Sequence, residues 1–272
     1  MLLLATGLFA GCQAASGAPT TSAPVSVAAA STPSVATTMP GASATPAPTP
    51  TTTARPLSGR TIVIDPGHNG VWTRRELRKV PSGNGRTKAC NSSGTASNAG
   101  YPEHAYTWSQ AKALAKVLRA RGARVRLTRP NDHGEGPCVN LRSKLANDLL
   151  ADALISIHAD GSFARGARGF HVIHSPTMAG GTRVEEKSLA LAKRIRHALE
   201  TETPLPRSTY IGGGTALNSR DDLGTLNLSL RPAVLVEMGN MRNATDAALL
   251  DSAAFRTAAA TALADAIQAY LS

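Results

Sequence analysis

From about residue 60 to the end of the chain, short apolar runs, several of them closed by a turn or a chemically active residue, alternate with stretches of helical period. Thr61-Ile62-Val63-Ile64-Asp65 is rich in β-branched residues and stops at Pro66-Gly67, which predicts a buried strand that delivers His68 to a turn. From Glu103 to Arg121 the positions Tyr106, Ala111, Leu114, Ala115 and Leu118 recur at helical spacing, and Gly122 supplies a stop. Ala123 to Arg129 alternates apolar and charged residues up to Pro130, the pattern of a half-buried strand near a sheet edge. Further strands are predicted from Ala153 to Ile157, ending at His158, from Gly169 to His174, and from Ala233 to Glu237. Leu141 to Leu150, Glu185 to Glu200 and the alanine-rich run Ala253 to Tyr270 are predicted helices. Residues 71–99 are rich in Gly, Ser, Asn and basic side chains without a sustained period, which predicts one long loop; Gly212-Gly213-Gly214 predicts another. Strands in alternation with helices imply an α/β fold, with a largely parallel central sheet covered by helices on both faces.

Composition divides the chain. No Asp, Glu, Lys or Arg precedes Arg55, so the net charge of +11 belongs wholly to residues 55–272. Residues 13–56 are mostly Ala, Thr, Ser and Pro and cannot bury enough apolar surface to offset the entropy of ordering, so they read as a disordered linker. Residues 57–272 are long enough for one core and are expected to form one domain. Residues 1–12 are apolar but far short of the roughly 20 a spanning helix needs. They look like the end of a secretory signal, with the basic start missing, which leaves open a true start further upstream. Phe9-Ala10-Gly11-Cys12 resembles a bacterial lipobox, with Phe where Leu is usual, which implies lipidation of Cys12; an ordinary signal peptide with an incidental cysteine is the equal alternative. The two remaining cysteines, Cys90 and Cys138, are expected to be bridged in an exported chain, against the alternative of two buried thiols.

His68, His158 and Glu237 each close an apolar strand. In open α/β sheets ligands gather beyond the carboxyl ends of the strands, so these residues can meet at one rim, joined by Glu103 if its helix begins on that side. Two imidazoles and one carboxylate with an open position suit a catalytic zinc, and a second carboxylate supplies the base. Taken singly, a histidine at a strand end is more often a hydrogen-bonded structural residue. A glutamate inside an apolar run is harder to place without a partner or a task.

Ile62 to Gly70, Gly100-Tyr101-Pro102-Glu103, Leu127-Thr128-Arg129, Arg142 with Ala146-Asn147, Ser156 to Asp160, and Pro232 to Gly239 resemble the ordered motifs of the zinc-dependent N-acetylmuramoyl-L-alanine amidases. The resemblance runs from about Arg60 to the C-terminus, and six motifs in order are far more specific than any one. It implies that His68, Glu103 and His158 hold one zinc ion, that Glu237 is the catalytic carboxylate, and that a mixed sheet is flanked by helices. It also places Asn69, Arg142, Asp160 and Asn243 on a substrate-binding wall. The implied reaction cuts the amide between N-acetylmuramic acid and L-alanine in peptidoglycan. Two departures weaken the substrate wall: Asn240 replaces a common aromatic, and Asp160 replaces a common Asn.

Two other functions compete: a zinc peptidase cutting within the stem peptide, and a wall-binding lipoprotein without catalysis. The basic balance suits an acidic partner in the cell envelope; nucleic acid is disfavoured because basic and aromatic residues do not interleave. Arg74, Arg75, Arg78, Lys79, Arg86 and Lys88, against a single Glu76, make residues 71–99 a solvated loop or a grip for stem-peptide carboxylates. His104, His133, His171, His174 and His197 read as structural or solvated, with His133 left open. Nothing requires more than a monomer.

Overall fold

The first β-branched run becomes strand β1 (Thr61–Pro66), every residue of it buried, in a computed structural model that describes residues 55–272. The expectations for the signal-like segment, for Cys12 and for nearly all of the linker fall outside those residues. After β1, strands β2 (Lys79–Gly83) and β3 (Arg86–Ala89) pair antiparallel as a separate small sheet. This corrects the reading of residues 71–99 as one loop. Gly83 pairs with Arg86, so Asn84-Gly85 is a two-residue turn, with φ of 56° and 69°. An Asn-Gly pair in the left-handed region is the turn whose twist matches that of two joined strands.

Helix α1 (Glu103–Ala120), strand β4 (Arg124–Leu127), helix α2 (Val139–Asp148), strands β5 (Ala153–Asp160) and β6 (His171–His174), and helix α3 (Thr182–Glu202) follow. Strand β7 (Leu217–Ser219), helix α4 (Gly224–Asn227), strand β8 (Ala233–Asn240) and helices α5 (Ala244–Asp251) and α6 (Ala253–Leu271) complete the chain. The main sheet has the order β4-β1-β5-β8-β6-β7. The first four run parallel, whereas β6 is antiparallel to β8 and parallel to β7. Strand β4 lies at the edge, as its alternation of apolar and charged residues predicts.

Side chains alternate across a strand, and the two faces take different helices. Ile62 and Ile64 join Leu114, Leu118, Leu191 and Leu263 in a core with α1, α3 and α6. Val63, Leu154 and Leu235 point the other way, into a second core with Ala146 of α2 and Leu226 of α4. Coverage on both faces explains why the central strands read as unbroken apolar runs. The row that carries Val63 also carries Asp65, the row of Leu154 continues to Ser156 and His158, and the row of Leu235 continues to Glu237. The polar ends of all three therefore emerge together at one rim, on the α2 and α4 side.

Candidate active site

Beyond β1 the chain turns through Gly67 into His68, whose φ of 61° places a non-glycine residue in the left-handed region. Arg142 Nη2 donates to the His68 carbonyl at 2.8 Å, and the Gly67 N–H donates to Ile157 O at 2.9 Å, so the turn is held from two sides. Gly67 cannot carry a side chain, because a Cβ there would overlap the His158 ring. His158 arrives on β5. Glu103 is the first residue of α1, and its N–H donates to Thr95 O at 2.9 Å.

These three side chains converge. Glu103 Oε2 lies 2.9 Å from His68 Nε2, and its Oε1 lies 3.0 Å from His158 Nδ1. The two imidazole nitrogens are 3.1 Å apart, and one ligand atom from each residue lies within 4.8 Å of the others. His68 Nδ1 donates to Ser92 O at 2.9 Å, which fixes the tautomer and leaves Nε2 as the free donor atom. The Glu103 oxygens accept the N–H groups of Thr95 and Ala159, each at 3.0 Å, so the backbone aims the carboxylate independently of the imidazoles. Two nitrogens and one carboxylate, with His68 and Glu103 each oriented by backbone partners, fit a divalent metal ion.

Burial opposes charge throughout this cluster. It pushes the Glu103 carboxyl up, but the charges and hydrogen bonds of His68 and His158 outweigh it and hold the group well below the usual carboxylate range. Burial also draws the His158 imidazole below its ordinary 6.5, against the pull of Glu103. Glu237 lies opposite His158 in the pairing of β5 with β8 and opposite His171 in that of β6 with β8. Its Oε2 is buried and accepts no hydrogen bond. Burial, then the charges of Glu103 and Asp160, push its carboxyl well above 4.5, with Arg220 opposing. His68, Glu103, His158, Asp160, Arg220 and Glu237 line one cleft of about 410 Å³.

Of the residues expected on a substrate wall, Asp160 is in the cleft, with Oδ2 accepting from the Tyr210 hydroxyl at 2.8 Å. Arg142 and Asn69 are corrections. Arg142 is only 2% exposed and spends all five N–H bonds: on the carbonyls of Pro137, Pro66 and His68, on Asp65 Oδ1 and on Asn69 Oδ1. Asn69, 3% exposed, gives its amide hydrogens to Glu76 Oε1 and Gly136 O. With no donor left for a substrate, both residues brace the strand end from beneath. Asn243 caps α5, its Oδ1 accepting from the N–H groups of Thr245 and Asp246, and lines a different groove with Arg242 and Phe163.

Asp65 was not singled out in the sequence, although it follows an apolar run just as Glu237 does; it is 1% exposed and pairs with Arg142 at 2.7 Å. His104 turns away to Asp132 at 2.9 Å. The metal-type cluster among the described residues includes none of His104, His133, His171, His174 or His197. Cys90 and Cys138 are joined as a disulfide, which ties the end of β3 to the start of α2.

Three convergent donors that could hold a metal, beside a carboxylate whose buried Oε2 has no hydrogen-bond partner, at the carboxyl edge of a parallel sheet, make a hydrolase-type site on an α/β scaffold. More narrowly, the chain belongs to the N-acetylmuramoyl-L-alanine amidase family, whose sequence profile matches residues 62–269. It is 42% identical over 215 residues to N-acetylmuramoyl-L-alanine amidase Rv3717 of Mycobacterium tuberculosis, which covers 79% of this chain and 88% of that protein. The apo form of the N-acetylmuramyl-L-alanine amidase Ami1 from Mycobacterium abscessus has a similar structure, with TM-score 0.75, 43% identity, and coverage of 79% of this chain and 100% of that one. Ami1 from Mycobacterium smegmatis is similar at TM-score 0.75 and 41% identity, covering 79% of this chain and 98% of its own. The mixed, mostly parallel sheet expected from the sequence is the architecture observed.

Proposed function

We propose that this protein hydrolyses the amide between the lactyl group of N-acetylmuramic acid and L-alanine in bacterial peptidoglycan, with His68, Glu103 and His158 holding one zinc ion. The carrying observation is the convergence of those three donors within 4.8 Å, beside the unpartnered Glu237, in a chain of this family. A zinc ion bound there supplies Lewis acidity toward water and toward an amide carbonyl. Glu237 takes a proton from the attacking water through its unspent carboxylate oxygen. As the new C–O bond forms and the C–N bond breaks, it passes that proton to the departing amine of L-alanine. The backbone groups of Ser92, Thr95 and Ala159 hold His68 and Glu103 in register, and Arg142 holds the His68 turn. Asp160, two residues beyond His158 on β5, faces the substrate in the same cleft.

The test is mass spectrometry of muropeptides treated with the zinc-loaded protein, with and without a chelator. Chelator-sensitive release of intact stem peptides is the expected result; shortened peptides indicate a peptidase, and no products at all refute hydrolysis. Glu237→Gln should retain zinc while losing about 100-fold or more in turnover, a typical share for a proton-transferring group. Wild-type turnover in that variant would remove Glu237 from the mechanism.

The protein works in the cell envelope, where its substrate lies. No helix among the described residues is long and apolar enough to cross a membrane. The lipobox-like motif at Cys12 and the uncharged stretch after it support an anchor followed by a spacer. An unmodified Cys12 in the mature N-terminal peptide, read by mass, would sink the anchor.

A further inference from the structure

The cleft has two compartments that meet at the His68 and His158 pair. The wider, about 410 Å³, holds Glu237, Asp160 and Arg220. The narrower, about 160 Å³, lies against β3 and is walled by Lys88, Ala89, Val139, Leu223 and Leu235, the last two shared with the wider space. A bond held at the imidazole pair therefore has two unequal spaces for its two substituents. The two spaces differ by more than twofold on the same measure, about 160 against about 410 Å³, so the bulkier substituent fits the wider one better. The bulkier glycan is therefore assigned to the wider compartment, and the amine side of the scissile bond, the stem peptide, to the narrower pocket.

Two cations line that pocket: Arg142, whose five N–H groups are all spent on protein acceptors, and Lys88. Lys88 is half-buried on β3, and its Nζ donates to the Asp222 carbonyl at 3.0 Å. That bond uses one of three N–H donors. The Asp222 carboxylate is engaged elsewhere, receiving Arg220 at 2.9 and 2.7 Å, and no ion pair with Lys88 forms among the described residues. Lys88 therefore feels the Asp222 charge only at a distance and keeps N–H donors that no carboxylate of the described residues takes, so a ligand's anion can satisfy them. Lys88 is also pre-positioned, because Arg86 ties the same strand to Asp221 and the disulfide pins the adjoining Cys90.

We propose that Lys88 recognises a free carboxylate of the stem peptide, the α-carboxylate of the second peptide residue, and so makes the enzyme selective for stems that are not amidated at that group. The apolar wall of Leu223 and Leu235 meets the L-alanine methyl, and the ammonium meets the next acidic group along the peptide. This rests on the amidase function proposed above.

The experiment uses the zinc-loaded full chain with two soluble muramyl dipeptides, one carrying the free α-carboxylate on its second residue and one amidated there. The expected result is that kcat/KM favours the free acid by about tenfold or more, the scale of one charge-assisted hydrogen bond, with the difference carried in KM. Lys88→Met should bring that ratio close to one by raising KM for the acid, and Lys88→Arg should restore part of it. Lys79→Met, which removes an exposed cation from the partner strand, should keep the ratio. If the wild type cuts both substrates equally well, or if Lys88→Met leaves the ratio intact, the inference is overturned while the amidase function stands. A wild type that cuts neither substrate refutes the function itself, and the inference with it.

Discussion

Replacing Arg142 by Met should unfold the active-site rim from within, although the side chain can offer nothing to a substrate. The guanidinium is 2% exposed and its Asp65 partner 1%, so removing it strands a carboxylate in the interior. Breaking one side of a buried ion pair costs about 3–5 kcal/mol. The carbonyl oxygens of Pro137 and His68 lose a donor as well, while Pro66 O keeps Arg129 Nε, so that figure is a lower bound. For a chain of this size it corresponds to a melting temperature lower by roughly 6–20 °C.

The pH dependence of that loss has a definite sign. Burial pushes the Asp65 carboxyl up, but Arg142, Thr128 and Ser156 outweigh it and hold the folded-state pKa below 3.8. In the wild type the stability from this carboxylate is present above about 3.8 and is lost as the pH falls through the lower folded value. Without Arg142, burial dominates and the folded pKa rises above the unfolded one, so the penalty grows toward neutral pH and shrinks on acidification. Urea unfolding from pH 4.5 to 7.5 measures it, with Asp65→Asn/Arg142→Met as the companion that removes the stranded charge and recovers part of the loss. A variant within about 1 kcal/mol of wild type at neutral pH, or a penalty that grows as the pH falls, would refute the reasoning.

Two further predictions concern stability. Replacing both Cys90 and Cys138 by Ser opens a link that spans 48 positions, worth roughly 4 kcal/mol in the loop-entropy treatment; urea midpoints of the oxidised and Ser forms that coincide would contradict it. Burial holds the His171 imidazole at about 4, against an ordinary 6.5, and its Nδ1 has no partner. As the pH falls the unfolded chain takes up that proton first, so stability should drop by up to about 3 kcal/mol between pH 6.5 and 4. His171→Phe should flatten this slope; a slope as steep in the variant as in the wild type would assign the effect to another group.

Periodicity alone located β1, β4, β5, β6, β8 and the long helices, because each carries enough apolar residues for the period to register. Strand β7, with three residues, and α4, with four, are shorter than any usable window. The β2–β3 hairpin was missed for a different reason: its strands are polar, and the signal lay in Asn84-Gly85 between them. The strand-end logic that singled out His68, His158 and Glu237 applies equally to Asp65, and the Asp65–Arg142 pair is what supports the His68 turn.

The order of apolar runs along this chain was sufficient to bring His68, His158 and Glu237 toward the carboxyl ends of strands, although β5 and β8 run on to Asp160 and Asn240, since strand and helix periods are local properties. Local patterns could not decide whether Glu103, 35 residues beyond His68, starts its helix at the same rim. Nor could they tell a buried brace from a substrate contact at Arg142 and Asn69, or assign Lys88 to a pocket wall. Those outcomes depend on which strands become neighbours and on where each donor is spent. Both are long-range choices, made only when the sheet assembles in the order β4-β1-β5-β8 and the hairpin is tied down beside it.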